Sequence, residues 1–373
     1  MDKYLGQDIK KLGFGLMRLP ELENGDIDIE QLKKMVDHFI AEGFTYFDTA
    51  YVYHGGKSEK AIKEALVTRY PRESYQLVTK QATWLCKNEE DMQNLFDKQL
   101  ERTGAGYFDF YLLHSLQKGR LEHADSINAW DFVLKLKEKG LVKHIGFSFH
   151  DNAEMLDGIL SKHPEVEFVQ LQINYGDWES NVVQSRKCYE VVRKYNKPLL
   201  VMEPLKGGAL TMLTPEARDI FKTANPEASI ASWGLRFAAS LDSMITVLSG
   251  MSTLEQMVEN TKAMKVFKPL TDDERSVIDR VNQKLSELPL VPCTGCKYCV
   301  PGCPQEIKIP NIFHLYNAYT MYRELAPLKR NYGVQTTTHP ASSCIACGAC
   351  ETICPQHIDI INQLQNASKV FDN

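Results

Sequence analysis

The chain of 373 residues lacks several features that would define common classes of protein. No apolar stretch approaches the roughly 18 residues of a membrane-spanning helix, so we expect no membrane segment. Lys and Arg form no basic run and the formal net charge is −5, which argues against nucleic-acid binding, because phosphate contacts need clustered cations. The polar stretch 1–10 shows no secretory or transit pattern, so we expect a cytoplasmic, reducing location.

Cysteine is scarce over most of the chain and concentrated near its end. Only Cys86 and Cys188 precede residue 293, and each is expected to be a small buried apolar side chain. The other eight form two runs with one spacing, C-x2-C-x2-C-x3-C-P. The runs are Cys293, Cys296, Cys299, Cys303 and Cys344, Cys347, Cys350, Cys354, closed by Pro304 and Pro355.

This spacing is that of a bacterial ferredoxin run, which binds an iron–sulfur cluster. Zinc sites take ligands in two pairs, and disulfides need an oxidising compartment, so both are weaker alternatives. In two-cluster proteins the fourth cysteine of each run serves the other cluster. We therefore assign one cluster to Cys293, Cys296, Cys299 and Cys354, and the second to Cys344, Cys347, Cys350 and Cys303. The resemblance to two-cluster ferredoxins implies that both are [4Fe-4S] clusters.

The first 265 or so residues show a repeated strand–helix pattern. The predicted strands are 12–16, 45–49, 76–80, 108–114, 144–148, 168–173, 199–203 and 245–249. The predicted helices are 29–42, 59–69, 89–102, 126–139, 153–161, 182–195 and 254–263. Eight units of this length predict an α/β fold, a TIM (β/α)8 barrel. A doubly wound sheet is the alternative, but its Gly-x-Gly-x-x-Gly turn is missing, since the first strand has only Gly13 and Gly15.

A charged helix is predicted over 271–288, with Thr271 and Glu274 in a capping-box pattern. Two prolines in 289–292 break it, so we expect a barrel domain over 1–288 and a small, mainly helical, ferredoxin-like iron–sulfur domain over 289–373. Within the second domain, 310–332 is predicted to be helical. Its aromatic residues at every third position are expected to form a face that packs on the clusters or on the barrel, rather than a ligand site.

Polar residues end consecutive barrel strands, where TIM barrels carry their active sites. Asp48 ends the second strand and Tyr53 follows it; Lys80 ends the third and His114 the fourth. Such a set can reduce a carbonyl group. The phenol is the general acid, the ammonium lowers the pKa of the phenol, the carboxylate holds the ammonium, and the imidazole orients the carbonyl oxygen.

With these residues the chain resembles the aldo/keto reductase family over about 13–263. The resemblance rests on Phe47-Asp-Thr-Ala with a tyrosine five residues after the aspartate, Gly56-Lys-Ser-Glu59, Leu113-His114, Gly146-Phe-Ser148 and Glu259-Asn260. It implies a catalytic tetrad of Asp48, Tyr53, Lys80 and His114, and a nicotinamide cofactor across the barrel mouth. The cofactor-binding positions that it implies are Gly15, Asp48, Ser148, Gln170, Leu205, Glu259 and Asn260.

The chain departs from the family pattern at three places. Phe149 stands where the family usually has Asn after the serine, and Met202 and Glu203 replace a stacking aromatic and a serine. The Lys and Arg that bind the 2′-phosphate of NADPH are missing near Gly250 and Gln256. We therefore expect the cofactor to be NADP(H) or NAD(H), with weak preference for NADPH.

The leading hypothesis is an oxidoreductase that interconverts a small carbonyl compound and an alcohol, with two [4Fe-4S] clusters that exchange single electrons with a protein partner. A hydride carries two electrons, whereas each cluster carries one, and a flavin normally bridges two-electron and one-electron chemistry. A bound flavin therefore remains one of the cofactors that the sequence allows. Two alternatives remain: an electron-transfer protein whose barrel is a binding scaffold, and a reductase whose clusters are structural. Candidate substrate-pocket residues are Trp84, Trp178, Arg18 and His54.

Overall fold

The computed structural model describes residues 5–6, 8–322, 325–336 and 338–372. The chain divides into two compact units. The first comprises Met1–Pro204 and Ala231–Leu270, and the second comprises Leu205–Ile230 and Thr271–Asn373. The chain therefore enters the second unit twice, and the domain boundary expected at 288/289 stays a prediction. No described helix combines the length and the apolar character that a membrane crossing requires.

The first unit contains a closed barrel of eight parallel strands, each hydrogen-bonded to the next and β8 to β1. The strands are β1 Leu12–Gly15, β2 Tyr46–Asp48, β3 Gln76–Gln81, β4 Phe108–Leu116, β5 Val142–Phe149, β6 Phe168–Gln172, β7 Leu199–Met202 and β8 Met244–Ser249. Each of the eight predicted strands is present with its ends within a few residues, and the predicted TIM barrel is confirmed.

The helices are α1 Ile29–Ala41, α2 Ser58–Ile62, α3 Glu89–Thr103, α4 Lys118–Ser126, α5 Ala129–Glu138, α6 Ala153–Lys162, α7 Ser185–Lys194, α8 Pro215–Ala224, α9 Ile230–Ala239, α10 Leu254–Met264, α11 Asp272–Ser286, α12 Ile309–Tyr322, α13 Leu325–Gln335, α14 Ala349–Thr352 and α15 Ile360–Phe371. Polar side chains begin many of them: Asp28, for example, accepts a hydrogen bond from the amide of Gln31 at the start of α1.

The barrel interior is filled by large side chains from successive strands. They include Tyr46, Val78, Phe110, Leu112, Phe168, Leu200 and Ile245, all of which are fully buried. Strands that are buried on both faces are typical of parallel sheets covered by helices. This packed interior closes the barrel below its carboxyl-end loops, so polar residues at the strand ends face a shallow mouth rather than a pore.

Several helical predictions differ from the structure. The predicted helix 126–139 corresponds to α5 alone, and α4, α8 and α9 were not predicted. The predicted helix 310–332 is divided between α12 and α13. Almost every residue of α9 is buried, so it lacks the polar face that creates a helical period. By contrast, the capping box predicted for Thr271 and Glu274 is present in both directions at the start of α11.

The second unit is helical and has a core of its own, as expected for 289–373. Ile307, Ile312, Phe313, Ile360 and Leu364 are all buried in this core, where α12 packs against α13 and α15. The aromatic side chains of α12 pack within the unit itself: Phe313 is fully buried, and Tyr316 and Tyr319 pack against the core. The helix thereby holds the two cysteine runs, which flank it in the sequence, around one apolar centre.

Candidate active site and cluster site

The structure brings Asp48, Lys80, Tyr53 and His114 together in the barrel unit. Asp48 is the last residue of β2, Lys80 and His114 lie near the carboxyl ends of β3 and β4, and Tyr53 begins a helical turn after β2. The three strands are neighbours with regular parallel register, which sets these side chains side by side. Carboxyl ends of adjacent barrel strands meet at one rim, which is why residues distant in sequence converge here.

A buried ion pair joins Lys80 and Asp48. The Lys80 Nζ donates to Asp48 Oδ1 at 2.5 Å and to the carbonyl of Thr49 at 2.7 Å, and both side chains are nearly inaccessible. Burial raises the pKa of Asp48 and lowers the pKa of Lys80, while the contact between them opposes both shifts. Each charge therefore depends on the other for its stability in a dry site.

The phenol ring of Tyr53 lies against both Lys80 and His114. The Lys80 Nζ is 4.8 Å from the centroid of the Tyr53 ring, and the His114 ring is 5.9 Å from it in an edge-on arrangement. Burial first, and then the charges of Lys80 and Arg120 and the nearby His150, hold the pKa of His114 well below its ordinary value. His114 is consequently a neutral imidazole near pH 7, able to donate a hydrogen bond without adding charge.

The residues expected at the nicotinamide position are adjacent to this set. Ser148 and Gln170 face each other in the register of β5 and β6. The Ser148 Oγ accepts from the amide of Ser115 at 2.7 Å, and the Gln170 Nε2 lies 3.4 Å from Asp48 Oδ2. Both side chains are almost fully buried, as is Phe149. Gly15 pairs with Asp48 in the register of β1 and β2, so this part of the expected cofactor site is continuous.

The other expected cofactor positions are more scattered. Asn260 on α10 is buried and donates to Ser249 Oγ at 3.2 Å, whereas Glu259 beside it is exposed. Leu205 belongs to the second compact unit. Glu203 has a left-handed backbone with φ 56° and forms an ion pair at 3.5 Å with Arg18, whose side chain packs against Gly250.

A buried polar network behind Lys80 was not recognised in the sequence. Glu59 Oε1 accepts from Thr79 at 2.8 Å and from Gln99 at 2.9 Å, and Gln99 also donates to the carbonyl of Lys80 at 3.1 Å. Arg102 lies 3.4 Å from the second oxygen of Glu59. The network fixes the backbone of β3 at the lysine. Glu59 stands in the quoted Gly56–Glu59 motif, but a glutamate on a helix gives no sign that it is buried.

The two candidate pocket tryptophans differ in their surroundings. Trp84, in the loop after β3, is half-buried with its ring 5.2 Å from His114 and 3.9 Å from the Arg120 guanidinium. Trp178 instead packs against Tyr189 and Phe237. His54 is held by the amide of Leu19 and by Glu21. Trp84 therefore contacts the tetrad directly, through His114.

The eight tail cysteines surround two cavities within the second unit. One cavity is lined by Cys293, Cys296, Cys299 and Cys354, and the other by Cys344, Cys347, Cys350 and Cys303. In each, three cysteines come from one run and the fourth from the other run, which is the crossed grouping expected from the sequence. All ten cysteines lie in the described ranges, and no disulfide joins them.

The shape and chemistry of these cavities fit iron–sulfur clusters. No three His, Cys, Asp or Glu side chains in the described ranges converge closely enough for one metal ion, as a zinc site would require. Apolar residues such as Ile309 and Phe313 form much of the remaining lining. Burial raises the pKa of Cys299 and raises that of Cys350 to about 11, so thiolates here need a cationic partner such as iron.

The two cysteine loops share one backbone conformation. Positive φ angles recur at equivalent positions of the two runs: Gly295 and Ala346, Lys297 and Gly348, Glu306 and His357. Left-handed alanine, lysine and glutamate are unfavourable and persist where the surroundings impose them. Alternation of right- and left-handed residues turns successive amide groups inward, a geometry that recurs at anion and iron–sulfur sites. The shared conformation gives both loops the same capacity to hold an anionic cluster.

The comparisons with known proteins agree with both units. The chain belongs to the aldo/keto reductase family, whose model matches residues 11–283, and a 4Fe-4S dicluster domain follows over residues 292–358. It is 24% identical to an uncharacterized oxidoreductase of Bacillus subtilis over 72% of this chain and 90% of the relative, and 23% identical to L-galactose dehydrogenase of Arabidopsis thaliana over 73% and 89%. These curated relatives correspond to the barrel part of the chain.

Solved structures show the same barrel. An aldo/keto reductase from Klebsiella pneumoniae, in complex with NADP and acetate, matches with a TM-score of 0.59 and 20% identity, covering 74% of this chain and 92% of that chain. The holo form of an aldo-keto reductase from Bacillus halodurans matches with a TM-score of 0.57 and 21% identity, covering 74% and 93%. At these identities the likeness establishes the fold. The protein is thus an aldo/keto reductase-type oxidoreductase with a ferredoxin-type dicluster domain.

Paired substitutions test the crossed grouping of the cysteines. Cys293→Ala with Cys354→Ala removes two ligands from one cavity, so we expect about four iron atoms per chain to remain. Cys293→Ala with Cys303→Ala removes one ligand from each cavity, so iron should fall toward zero. Iron and sulfide are counted after anaerobic purification. The opposite pattern of retention would contradict the grouping and show that each run holds a cluster by itself.

Proposed function

We propose that the barrel reduces a carbonyl group at the expense of NADPH or NADH, with Tyr53 as the general acid. The observation that carries this proposal is the position of the Lys80 ammonium, which contacts Asp48 on one side and the Tyr53 ring on the other. The Klebsiella relative was solved with NADP, which supports a nicotinamide cofactor for this barrel as well. The expected cofactor contacts within the barrel unit are Gly15, Asp48, Ser148, Gln170, Glu259 and Asn260.

Each side chain has a separate role in the proposed reaction. A bound dihydronicotinamide supplies the hydride that reaches the carbonyl carbon. Tyr53 gives its phenolic proton to the carbonyl oxygen and takes a replacement from water, so the product is an alcohol. Lys80 stabilises the phenolate that this transfer leaves, and Asp48 keeps Lys80 charged in its buried position. The neutral His114 donates a hydrogen bond to the same oxygen and orients it.

We propose further that the second unit binds two [4Fe-4S] clusters, one in each cavity, and exchanges single electrons with a protein partner. In one cavity Cys347 is exposed and Ile345, which also lines it, is 60% exposed, whereas Cys350 is buried. A cluster that is accessible to a partner protein favours a role in electron exchange over a purely structural role. A flavin at the barrel would join the two chemistries, because it accepts a hydride and releases single electrons.

Replacement of the phenol tests the barrel chemistry. Tyr53→Phe removes the proton donor but keeps the ring, so we expect carbonyl reduction to fall by at least about 100-fold while cofactor binding is retained. Tyr51→Phe is the matched control, because Tyr51 lies two residues away and packs on Arg102 instead. Turnover is followed by oxidation of NADPH or NADH with a set of aldehydes. Equal turnover of both variants would reject Tyr53 as the general acid, and the absence of turnover in the wild type as well would favour a barrel that only binds ligands.

The choice of cofactor is a second test. Gln256, near the expected 2′-phosphate position, accepts from the Ser252 amide, and the nearby Arg18 guanidinium contacts Glu203. A missing charge-assisted bond to the 2′-phosphate costs about 1.5–3 kcal/mol. We therefore expect Kd values for NADH and NADPH within about tenfold, and Gln256→Arg should shift the ratio about tenfold toward NADPH. Isothermal titration measures both, and tight binding of NADPH alone would refute the expectation.

A further inference from the structure

The two cysteine loops of the second unit share a backbone conformation but differ in how far they are covered. Within the described stretch 294–298, Lys297 is exposed, Thr294 is buried and the other residues are half-buried. At the equivalent positions of the second run, 345–349, every residue except the half-buried Gly348 is exposed. Of the ten cysteines, all within the described ranges, Cys347 is the one that is exposed. We call residues 345–349 the open loop.

The first cysteine loop is covered by another segment of the same unit. The helical turn Lys206–Thr211 belongs to this unit and packs on the loop. Gly207 in that turn has a left-handed backbone with φ 66°, and a side chain there would collide with the main chain of Thr294. Glycine permits such a close approach of two backbones. The unit therefore closes one of its two similar loops and leaves the other uncovered.

The open loop is anchored on both sides of its exposed stretch. The Asp372 carboxylate accepts a hydrogen bond from the amide of Ser342 at 2.9 Å, and Glu351 Oε1 accepts one from the amide of Ile361 at 2.8 Å. These two bonds tie the chain before and after the loop to α15 and its end. The exposed residues consequently form a fixed surface, and the two carboxylates that flank them are engaged within the unit.

The surface of the open loop is uncharged and apolar. The stretch 342–350 contains no Asp, Glu, Lys or Arg. Ile345 is 60% exposed, and Ala346 and Ala349 are exposed beside it. Ile345 and Cys347 also line the second cysteine cavity, so this surface is the outer wall of a proposed cluster site. An exposed apolar patch at such a place is typical of a site of protein–protein contact.

We propose that the open loop is the docking surface for a small one-electron carrier protein whose own redox centre is rimmed by uncharged residues, a role that rests on the electron exchange proposed above. Electron transfer falls steeply with distance, and the exposed Cys347 lets a carrier approach this cavity closely. Each encounter passes one electron between the two redox centres and makes or breaks no bond. Transient redox complexes bury less than about 1,200 Å², which suits a patch of five residues better than a stable dimer of this chain does.

Two opposite charges placed at one position test the surface. Ala349 is exposed and does not line the cavity, so Ala349→Glu and Ala349→Arg should leave iron and sulfide content unchanged. The protein is reduced with dithionite, freed of excess reductant and mixed anaerobically with oxidised flavodoxin. Each flavin takes one electron from the protein and one proton from water, and the semiquinone is followed by its absorbance. We expect both variants to lower the second-order rate constant about 10-fold, because either charge is left unpaired in an apolar contact.

The control lies in the covered loop. Lys297→Gln changes the charge by one unit, as each Ala349 variant does, and we expect a rate within about twofold of the wild type at about 0.5 M salt, where distant charges are screened. A loss of rate in Lys297→Gln but in neither Ala349 variant would move docking to the first loop and overturn the proposal. Opposite effects of Ala349→Glu and Ala349→Arg would show steering by charge and overturn the apolar contact.

Binding separates the surface from the electron exchange. With both proteins oxidised, isothermal titration should show Kd for flavodoxin raised about 10-fold in both Ala349 variants, and this readout needs no electron transfer. Binding that depends on Ala349 without semiquinone formation would support the surface and reject electron exchange. Semiquinone formation at equal rates in all variants would uphold electron exchange and overturn the surface. A wild-type dimer in sedimentation that Ala349→Glu dissociates would assign the surface to a second copy of the chain instead.

Discussion

The buried bond between Lys80 and Asp48 is the constraint on which the barrel's chemistry depends. Removing an ammonium and a carboxylate from water costs free energy. Loss of one partner leaves the other as an uncompensated buried charge, which costs about 3–5 kcal/mol of stability. Neighbouring strands in fixed register, together with the Glu59–Gln99 network behind β3, hold the two side chains in contact. The Lys80 Nζ is thereby held beside the Tyr53 ring, where the proposed mechanism uses its charge.

The second unit combines an apolar core of its own with two cysteine-lined cavities that would each hold a metal cluster. Its two cysteine loops repeat the same left-handed positions, including Ala346 and Lys297, whose strain needs compensation. In the crossed grouping each cavity takes three cysteines from one run and the fourth from the other. Each cavity therefore closes only when both runs are in place. Binding of a cluster and folding of this unit are expected to be coupled.

Sequence reasoning predicted the barrel, the convergence of the tetrad and the grouping of the cysteines, because each leaves a local pattern: strand periodicity, polar residues at strand ends, and fixed spacing. It did not predict α9, whose residues are buried on every side, or the burial of Glu59, which depends on Arg102 and Gln99 from another helix.

The central claim is that the barrel transfers hydride directly, whatever the clusters do. Reduction of an aldehyde with cofactor deuterated at the transferring position of C4, by protein from which the iron has been removed, tests this most directly. The account predicts one deuterium on the carbinol carbon of the product, by mass spectrometry, because the hydride passes from carbon to carbon while Tyr53 supplies only the oxygen-bound proton. Hydrogen from water on that carbon, or turnover that requires iron, would contradict it.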